Sequence, residues 1–205
     1  MILAEPIFLS IQWEWITTWQ PSIFVRFFGC NLHCEWCDSK YAVNKQESIV
    51  NIDTDTLINE IKKLKCQNIV FTGWEPTLFL DTIKEIKHKL WKKYTFEIET
   101  NGSKEIDTYF HHINCSPKLS NSWNQPYELK IQPRGNVIYK FVCKTQEDCD
   151  RTEQYIKANN LKTRYKNIYI MPEWVDNESQ HNEVVLNYCI KYWYRYCLRQ
   201  HILLF

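Results

Sequence analysis

Cys30, Cys34 and Cys37 fall at the spacing C-x3-C-x2-C within Gly29-Cys30-Asn31-Leu32-His33-Cys34-Glu35-Trp36-Cys37-Asp38-Ser39-Lys40-Tyr41. Three thiolates can converge from so short a loop, and no fourth cysteine lies near them. A closed structural zinc site takes four protein ligands. A simple electron-transfer iron–sulfur cluster takes four cysteines. Three thiolates on a cubane leave one iron open to a small molecule. The alternative is a three-cysteine zinc site completed by His33 or by a distant ligand. Upstream, Arg26 interrupts the apolar run Ser22-Ile23-Phe24-Val25-Arg26-Phe27-Phe28. A buried guanidinium needs a partner. A bound carboxylate would serve through a bidentate pair, and so would Glu14 or another acid of the chain.

With an aromatic residue, Trp36, just before the third cysteine, the loop resembles that of the radical S-adenosylmethionine (SAM) enzymes. In that superfamily the open iron binds the amino and carboxylate groups of SAM, and reductive cleavage gives a 5′-deoxyadenosyl radical.

The elements that present this loop are legible in the hydrophobic pattern. Residues 22–28 read as a buried strand that runs directly into the cysteines. A short apolar segment, residues 7–12, precedes it and enters a polar stretch that ends at Pro21. Residues 53–65 carry Leu57, Ile58, Ile61 and Leu64 at helical spacing, with Asp53 or Thr54 as the cap. Asn68-Ile69-Val70-Phe71 is a strand, and Thr72-Gly73-Trp74-Glu75-Pro76 is the turn after it. Further helices are expected at 81–90, 146–159 and 177–192, and further strands at 95–100, 113–115, 139–143, 167–171 and 194–198. Residues 120–136, with Pro126, Pro133 and Gly135, read as the longest loop. Alternation of strand and helix implies a parallel sheet with right-handed crossovers. The polar and cysteine motifs follow the strands, at the edge where such sheets carry their sites. The strand count falls short of an eightfold barrel. The expected fold is α/β, an incomplete TIM-like barrel of about six parallel strands with outer helices. Glu97 and Glu99 share one face of their strand, and neither is assigned a catalytic role. Lys140, inside a strand, is either an internal ion-pair partner or a polar lining of the barrel.

At 205 residues the chain can bury a sizeable core, and residues 1–205 are expected to form one radical SAM domain. The net charge of +1 gives no reason to propose nucleic-acid or membrane-surface binding. No apolar run is long enough to cross a bilayer. The N-terminus has no basic segment before an apolar one, so no signal peptide is expected. Nine cysteines without an export signal argue for reduced thiols in a cytoplasm. Most of the scattered cysteines are expected to be small buried hydrophobes.

Taken together, the motifs resemble the 7-carboxy-7-deazaguanine synthase family. They run nearly end to end: Gln12-x-Glu14, Phe24-Val25-Arg26, Trp36-Cys37-Asp38-Ser39, Thr72-Gly73-x-Glu75-Pro76, Glu99-Thr100-Asn101-Gly102, Ser116-Pro117-Lys118, Met171-Pro172-Glu173 and His201. The resemblance implies a lyase that converts 6-carboxy-5,6,7,8-tetrahydropterin to 7-carboxy-7-deazaguanine with ring contraction, loss of ammonia and regeneration of SAM. It further implies that Cys30, Cys34 and Cys37 hold a [4Fe-4S] cluster and that Ser39 ligates Mg²⁺, a cation suited to oxygen donors. Ile11, Gln12, Trp13, Glu14, Arg26, Thr72 and His201 would bind substrate. Trp36, Cys37, Asp38, Trp74, Ser116, Pro117 and Lys118 would line the SAM site. A homodimer and a flavodoxin or ferredoxin-type reductant are implied on the same ground.

One departure runs through the whole chain. It has 9 Trp and only 4 Gly, where average usage gives about 14 glycines in such a length. Trp13, Trp15, Trp19, Trp74 and Trp174 stand where that family carries glycine or a glycine turn. Trp91, Trp123 and Trp193 lie at expected turns or helix ends, where glycine at positive φ is favoured. An indole at position 74 would occupy space that SAM needs. A gene that reads UGA as glycine, translated with UGA as tryptophan, would produce this pattern. Two other readings use the same residues. One is another small radical SAM enzyme, such as a glycyl-radical activating enzyme. The other is a non-catalytic or decayed metal-binding relative, which the tryptophans favour if they are real.

Overall fold

The computed structural model describes residues 1–37, 49–162, 167–173 and 181–200. Asp38, Ser39, Trp174 and His201, and the first residues of the helix expected at 177–192, lie outside them.

The strands are β1 (Ile2–Leu3), β2 (Phe8–Ile11), β3 (Pro21–Phe27), β4 (Val50–Asn51), β5 (Asn68–Gly73), β6 (Thr95–Thr100), β7 (His112–Cys115), β8 (Val137–Cys143), β9 (Ile168–Pro172) and β10 (Arg195–Tyr196). The helices are α1 (Thr54–Lys63), α2 (Leu80–Leu90), α3 (Gln146–Ala158) and α4 (Glu183–Tyr192). One sheet takes the order β10-β9-β8-β7-β6-β5-β3-β1-β4, with β2 also on β3. From β3 through β5 to β10 every neighbour is parallel and each new strand is laid beside the last. That is barrel winding, stopped short of closure among the described residues. The short strands β1, β2 and β4 are antiparallel and cover the β3 edge.

The expected elements form where the pattern placed them, with ends shifted: β5 runs on through Thr72 and Gly73, expected in the turn, and β7 and β8 begin one and two residues earlier than expected. Asp53 caps α1 by accepting from the Thr56 N–H at 2.9 Å. The last strand shrinks to Arg195–Tyr196. The β6–β7 and β7–β8 crossovers carry no α-helix; the latter holds only a 3-10 turn, Ser120–Ser122.

Side chains alternate across the parallel strands. Ile23, Val25 and Phe27, then Ile69 and Phe71, then Phe96 and Ile98, then Tyr139 and Phe141 pack in one large cluster with Leu57, Ile61, Ile83, Ile86 and Ile156 of the helices. The intervening residues point the other way, into the barrel lumen. There Ile138, Val142, Tyr169 and Met171 form a small second cluster with Trp15 and Cys197. Phe24 and Val70 are also apolar, but most of the other intervening positions carry polar groups: Arg26, Thr72, Glu97, Glu99, Asn114 and Lys140. Burying a polar group without a partner is costly, so what these residues pair with defines the site. Of the scattered cysteines, Cys115, Cys143, Cys149, Cys189 and Cys197 are buried, while Cys66 is half-buried.

Candidate active site

Cys30 follows β3 directly. The turn is tied to the next strand's exit, where the Glu75 N–H donates to the Gly29 carbonyl at 3.2 Å. Gly73, at φ +108°, allows the close approach: a Cβ there would lie 2.2 Å from the Phe27 carbonyl oxygen. The segment after β7 cradles the rest of the loop. Glu35 N–H donates to the Ser122 carbonyl at 3.1 Å, and Trp36 Nε1 donates to the Asn121 carbonyl at 2.9 Å.

Cys30, Cys34 and Cys37 line one cleft at the C-terminal ends of the parallel strands. Two sulfurs already receive donors: Leu32 N–H to Cys30 Sγ at 3.3 Å, and Asn124 Nδ2 to Cys34 Sγ at 3.1 Å. Burial pushes the Cys30 thiol up, and the Glu75, Cys34 and Cys37 charges push it further. Mutual repulsion of this kind is what converged thiolates feel until a metal centre compensates them. Donors aimed at sulfur are also a means by which a protein tunes an iron–sulfur cluster. The three cysteines therefore fit such a group. The single-ion zinc alternative fits less well. His33 is exposed and does not line the cleft.

The cleft also carries a buried polar network. Gln12 is 3% exposed, and its Oε1 accepts from the Trp13 N–H at 3.0 Å. Its Nε2 donates to Glu99 Oε1 at 3.0 Å. Thr72 Oγ1 donates to Glu99 Oε2 at 2.6 Å. Glu14 is ion-paired with Lys140, both side chains being largely buried. Burial alone would lower the Lys140 ammonium, but the Glu14 and Glu99 charges, with Cys197, outweigh it and hold it above its ordinary value. Burial raises the Glu99 carboxyl, and the Glu14 charge adds to it; Thr72, Lys140 and Gln12 offset part of the rise. Arg26 pairs with Glu5 at 2.8 Å, each side chain 36% exposed. The partner of Arg26 is thus Glu5, not Glu14.

The cleft brings together Gln12, Trp13, Glu14, Arg26, Cys30, Cys34, Trp36, Cys37, Thr72, Trp74, Ser116 and Lys118. Lys118 Nζ donates to Ser116 Oγ at 2.8 Å and lies 5.2 Å from the Trp36 ring centroid. Ile11, paired with Pro21, and Pro117 do not reach the cleft surface.

Four residues escaped the sequence reading. Glu99 lines the cleft and Glu97 does not. Glu97 is fully used inside the lumen, accepting from Thr17 Oγ1, Asn68 Nδ2 and Asn114 Nδ2. Their shared strand face was visible, but what each would meet was not. Asn124, the donor to Cys34, carried no motif at all. Glu75 of the Thr-Gly-x-Glu-Pro motif is fully buried and stays out of the cleft. It accepts from Thr100 Oγ1 at 2.7 Å and from the Asn101 N–H at 2.7 Å, so it clamps the β5 turn to the β6 turn. Burial raises its carboxyl above the usual range.

The comparisons with known proteins agree with this geometry. Residues 24–110 match the radical SAM superfamily model. The 7-carboxy-7-deazaguanine synthase of Haemophilus influenzae is 33% identical over 84% of this chain and 75% of its own length. That of Buchnera aphidicola is 33% identical over 90% of this chain and 88% of its own. The crystal structure of QueE from Escherichia coli superposes with a TM-score of 0.70, covering 96% of this chain and 92% of that one at 20% identity. Fold, cleft and relatives together place the chain in the 7-carboxy-7-deazaguanine synthase family of radical SAM proteins.

Proposed function

We propose that this chain converts 6-carboxy-5,6,7,8-tetrahydropterin to 7-carboxy-7-deazaguanine with loss of ammonia. The observation that carries the reading is a single cleft lined both by the three cysteines and by Gln12, Glu14, Arg26, Thr72 and Glu99. A [4Fe-4S] cluster held by Cys30, Cys34 and Cys37 would supply reductive cleavage of SAM and so a radical to start the rearrangement. The protein's own groups bind and orient. The half-exposed Arg26–Glu5 pair is of the kind worth little on its own. A substrate carboxylate can therefore take Glu5's place on the guanidinium as a bidentate partner. Glu14, fixed by Lys140, and Gln12, fixed by Glu99, offer an acceptor and an amide for a pterin ring edge. Ser116 and Lys118 face the cluster side and suit SAM. The rearrangement and loss of ammonia need no net oxidant, so SAM can be regenerated.

Ser39 as Mg²⁺ ligand, with Asp38 and His201 as contacts, belongs to the same proposal. So do one radical SAM domain over 1–205, a homodimer, a flavodoxin or ferredoxin-type reductant, a cytoplasmic setting and no nucleic-acid partner. Among the described residues no helix is long and apolar enough to cross a membrane.

The test is anaerobic reconstitution with iron and sulfide, followed by assay with the carboxytetrahydropterin, SAM and a reductant, with and without Mg²⁺. The expected outcome is Mg²⁺-stimulated 7-carboxy-7-deazaguanine. Cys34→Ala is expected to lose the cluster's absorbance together with all product. SAM cleavage without product would point to another radical SAM reaction.

A further inference from the structure

Five non-glycine residues among those described have positive φ: Trp15 (69°), Trp19 (74°), Trp123 (65°), Asn160 (51°) and Trp193 (60°). Asparagine tolerates this left-handed region, whereas for a bulky side chain it is an outlier. Four of the five are tryptophan. Nothing about indole favours such a backbone, and glycine adopts it freely.

The local hydrogen bonds say the same. Trp193 ends α4 in the left-handed conformation, and the Tyr194 N–H returns to the Cys189 carbonyl at 3.0 Å. That is the helix-ending geometry in which glycine is the usual residue. Trp123 ends the Ser120–Ser122 turn in the same conformation. Trp19 closes the turn before β3, its N–H on the Gln12 carbonyl at 2.7 Å. The indoles contribute little in return: Trp19, Trp123 and Trp193 are 57%, 82% and 77% exposed. Trp15 alone is buried, with Lys140 4.3 Å from its ring centroid.

A different observation singles out Trp74. Its φ is ordinary, but its Nε1 is buried with no hydrogen-bond partner, and its ring fills cleft space against Phe28. The cleft measures about 280 Å³. Pockets for one drug-sized ligand start at roughly 300 Å³, and the proposed reaction needs SAM and a pterin together. Trp36 shows what a used tryptophan looks like: its Nε1 is satisfied and Lys118 sits over its ring. Trp91, with φ −46° and stacked on Phe96, has a backbone that does not itself require glycine.

We infer that the protein made in its own cells carries glycine at positions 15, 19, 74, 123 and 193 and tryptophan at 36. The gene then reads UGA as glycine at the five positions. The cleft of that protein is wider than the one described above, because the indoles of Trp15 and Trp74 are gone from its wall. The backbone observations stand independently of the proposed reaction, while the cleft-volume argument and the SAM arm of the test rest on it.

Peptide mass spectrometry of the protein from its own cells tests it directly. The tryptic peptides 119–130 and 192–195 are expected to carry glycine, and 27–40 to carry tryptophan. Tryptophan at 123 or 193 in those peptides overturns the inference. A second arm compares the tryptophan chain with a form bearing Trp15→Gly, Trp19→Gly, Trp74→Gly, Trp123→Gly and Trp193→Gly. For Trp19→Gly, Trp123→Gly and Trp193→Gly alone, whose indoles are exposed, relief of left-handed strain is expected to raise the unfolding midpoint by on the order of 10 °C. Equilibrium dialysis after cluster reconstitution is expected to find SAM retained at least tenfold more tightly by the glycine form. An equal or lower midpoint with unchanged SAM affinity would count against glycine at these sites.

Discussion

Lys140 points inward from β8 and meets two carboxylates, Glu14 by direct pairing and Glu99 through its charge. Removing one partner of such a pair leaves a buried charge unpaired, which costs about 3 kcal/mol or more. Lys140→Met and Glu14→Gln are each expected to lower stability by about that amount, roughly 6–12 °C in midpoint for a chain of this size. The double variant should lose clearly less than the sum, because each deletion relieves the other's orphan. Chemical denaturation of the four species in a double-mutant cycle measures this, and strict additivity would show that the pair does not interact. Thr72 belongs to the same network. Its hydroxyl holds Glu99 at 2.6 Å, so Thr72→Val is expected to raise the KM for the pterin more than it lowers kcat, read from steady-state kinetics.

The helices place no residue in the cleft, yet α2 contains the most unusual cation of the outer layer. Lys87 is 3% exposed, donates to Thr108 Oγ1 at 3.0 Å and to the Tyr109 carbonyl, and sits 3.7 Å from the Phe110 ring centroid. Burial lowers its ammonium from 10.5 to about 8. A lysine whose folded value is depressed favours the folded state when neutral. Its contribution is therefore complete above about 10.5 and is lost as the pH falls through about 8. Other groups titrate over the same range, so the readout is the slope of the thermal midpoint between about pH 10.5 and 7.5 in the native chain relative to Lys87→Met, and the native chain is expected to lose more on acidification. An identical slope in the variant would assign it to other groups. Elements also explain the clamp at the site: Glu75 joins the β5 and β6 turns, so the two strand ends that carry Thr72 and Glu99 cannot move separately.

At the scale of the molecule, the parallel run from β3 to β10 does not close on itself among the described residues. The β3 side is covered by short antiparallel strands and the other edge ends in a strand of two residues. Edges of this kind are normally covered, shortened or paired. A second copy of the chain is the proposed cover, and sedimentation equilibrium at micromolar concentration is expected to give twice the chain mass. A concentration-independent monomer would remove the dimer from the proposal.

The sequence by itself determined the strands and helices of the parallel barrel, because apolar periodicity and caps are local properties. It also determined the chemistry of the cysteine loop, since the spacing of Cys30, Cys34 and Cys37 and the missing fourth ligand are written in thirteen consecutive residues. The low glycine count hinted at something amiss. Only the tertiary structure decided which of two adjacent inward acids faces the cleft: Glu97 is consumed by Thr17, Asn68 and Asn114, which approach from three separate segments. Only it gave Arg26 its partner in Glu5 and Cys34 its donor in Asn124, contacts spanning 21 and 90 positions. And only it separated Trp36, whose indole is satisfied, from Trp193, whose backbone has turned left-handed, because φ is set by the fold's hydrogen bonds and not by the residue's name.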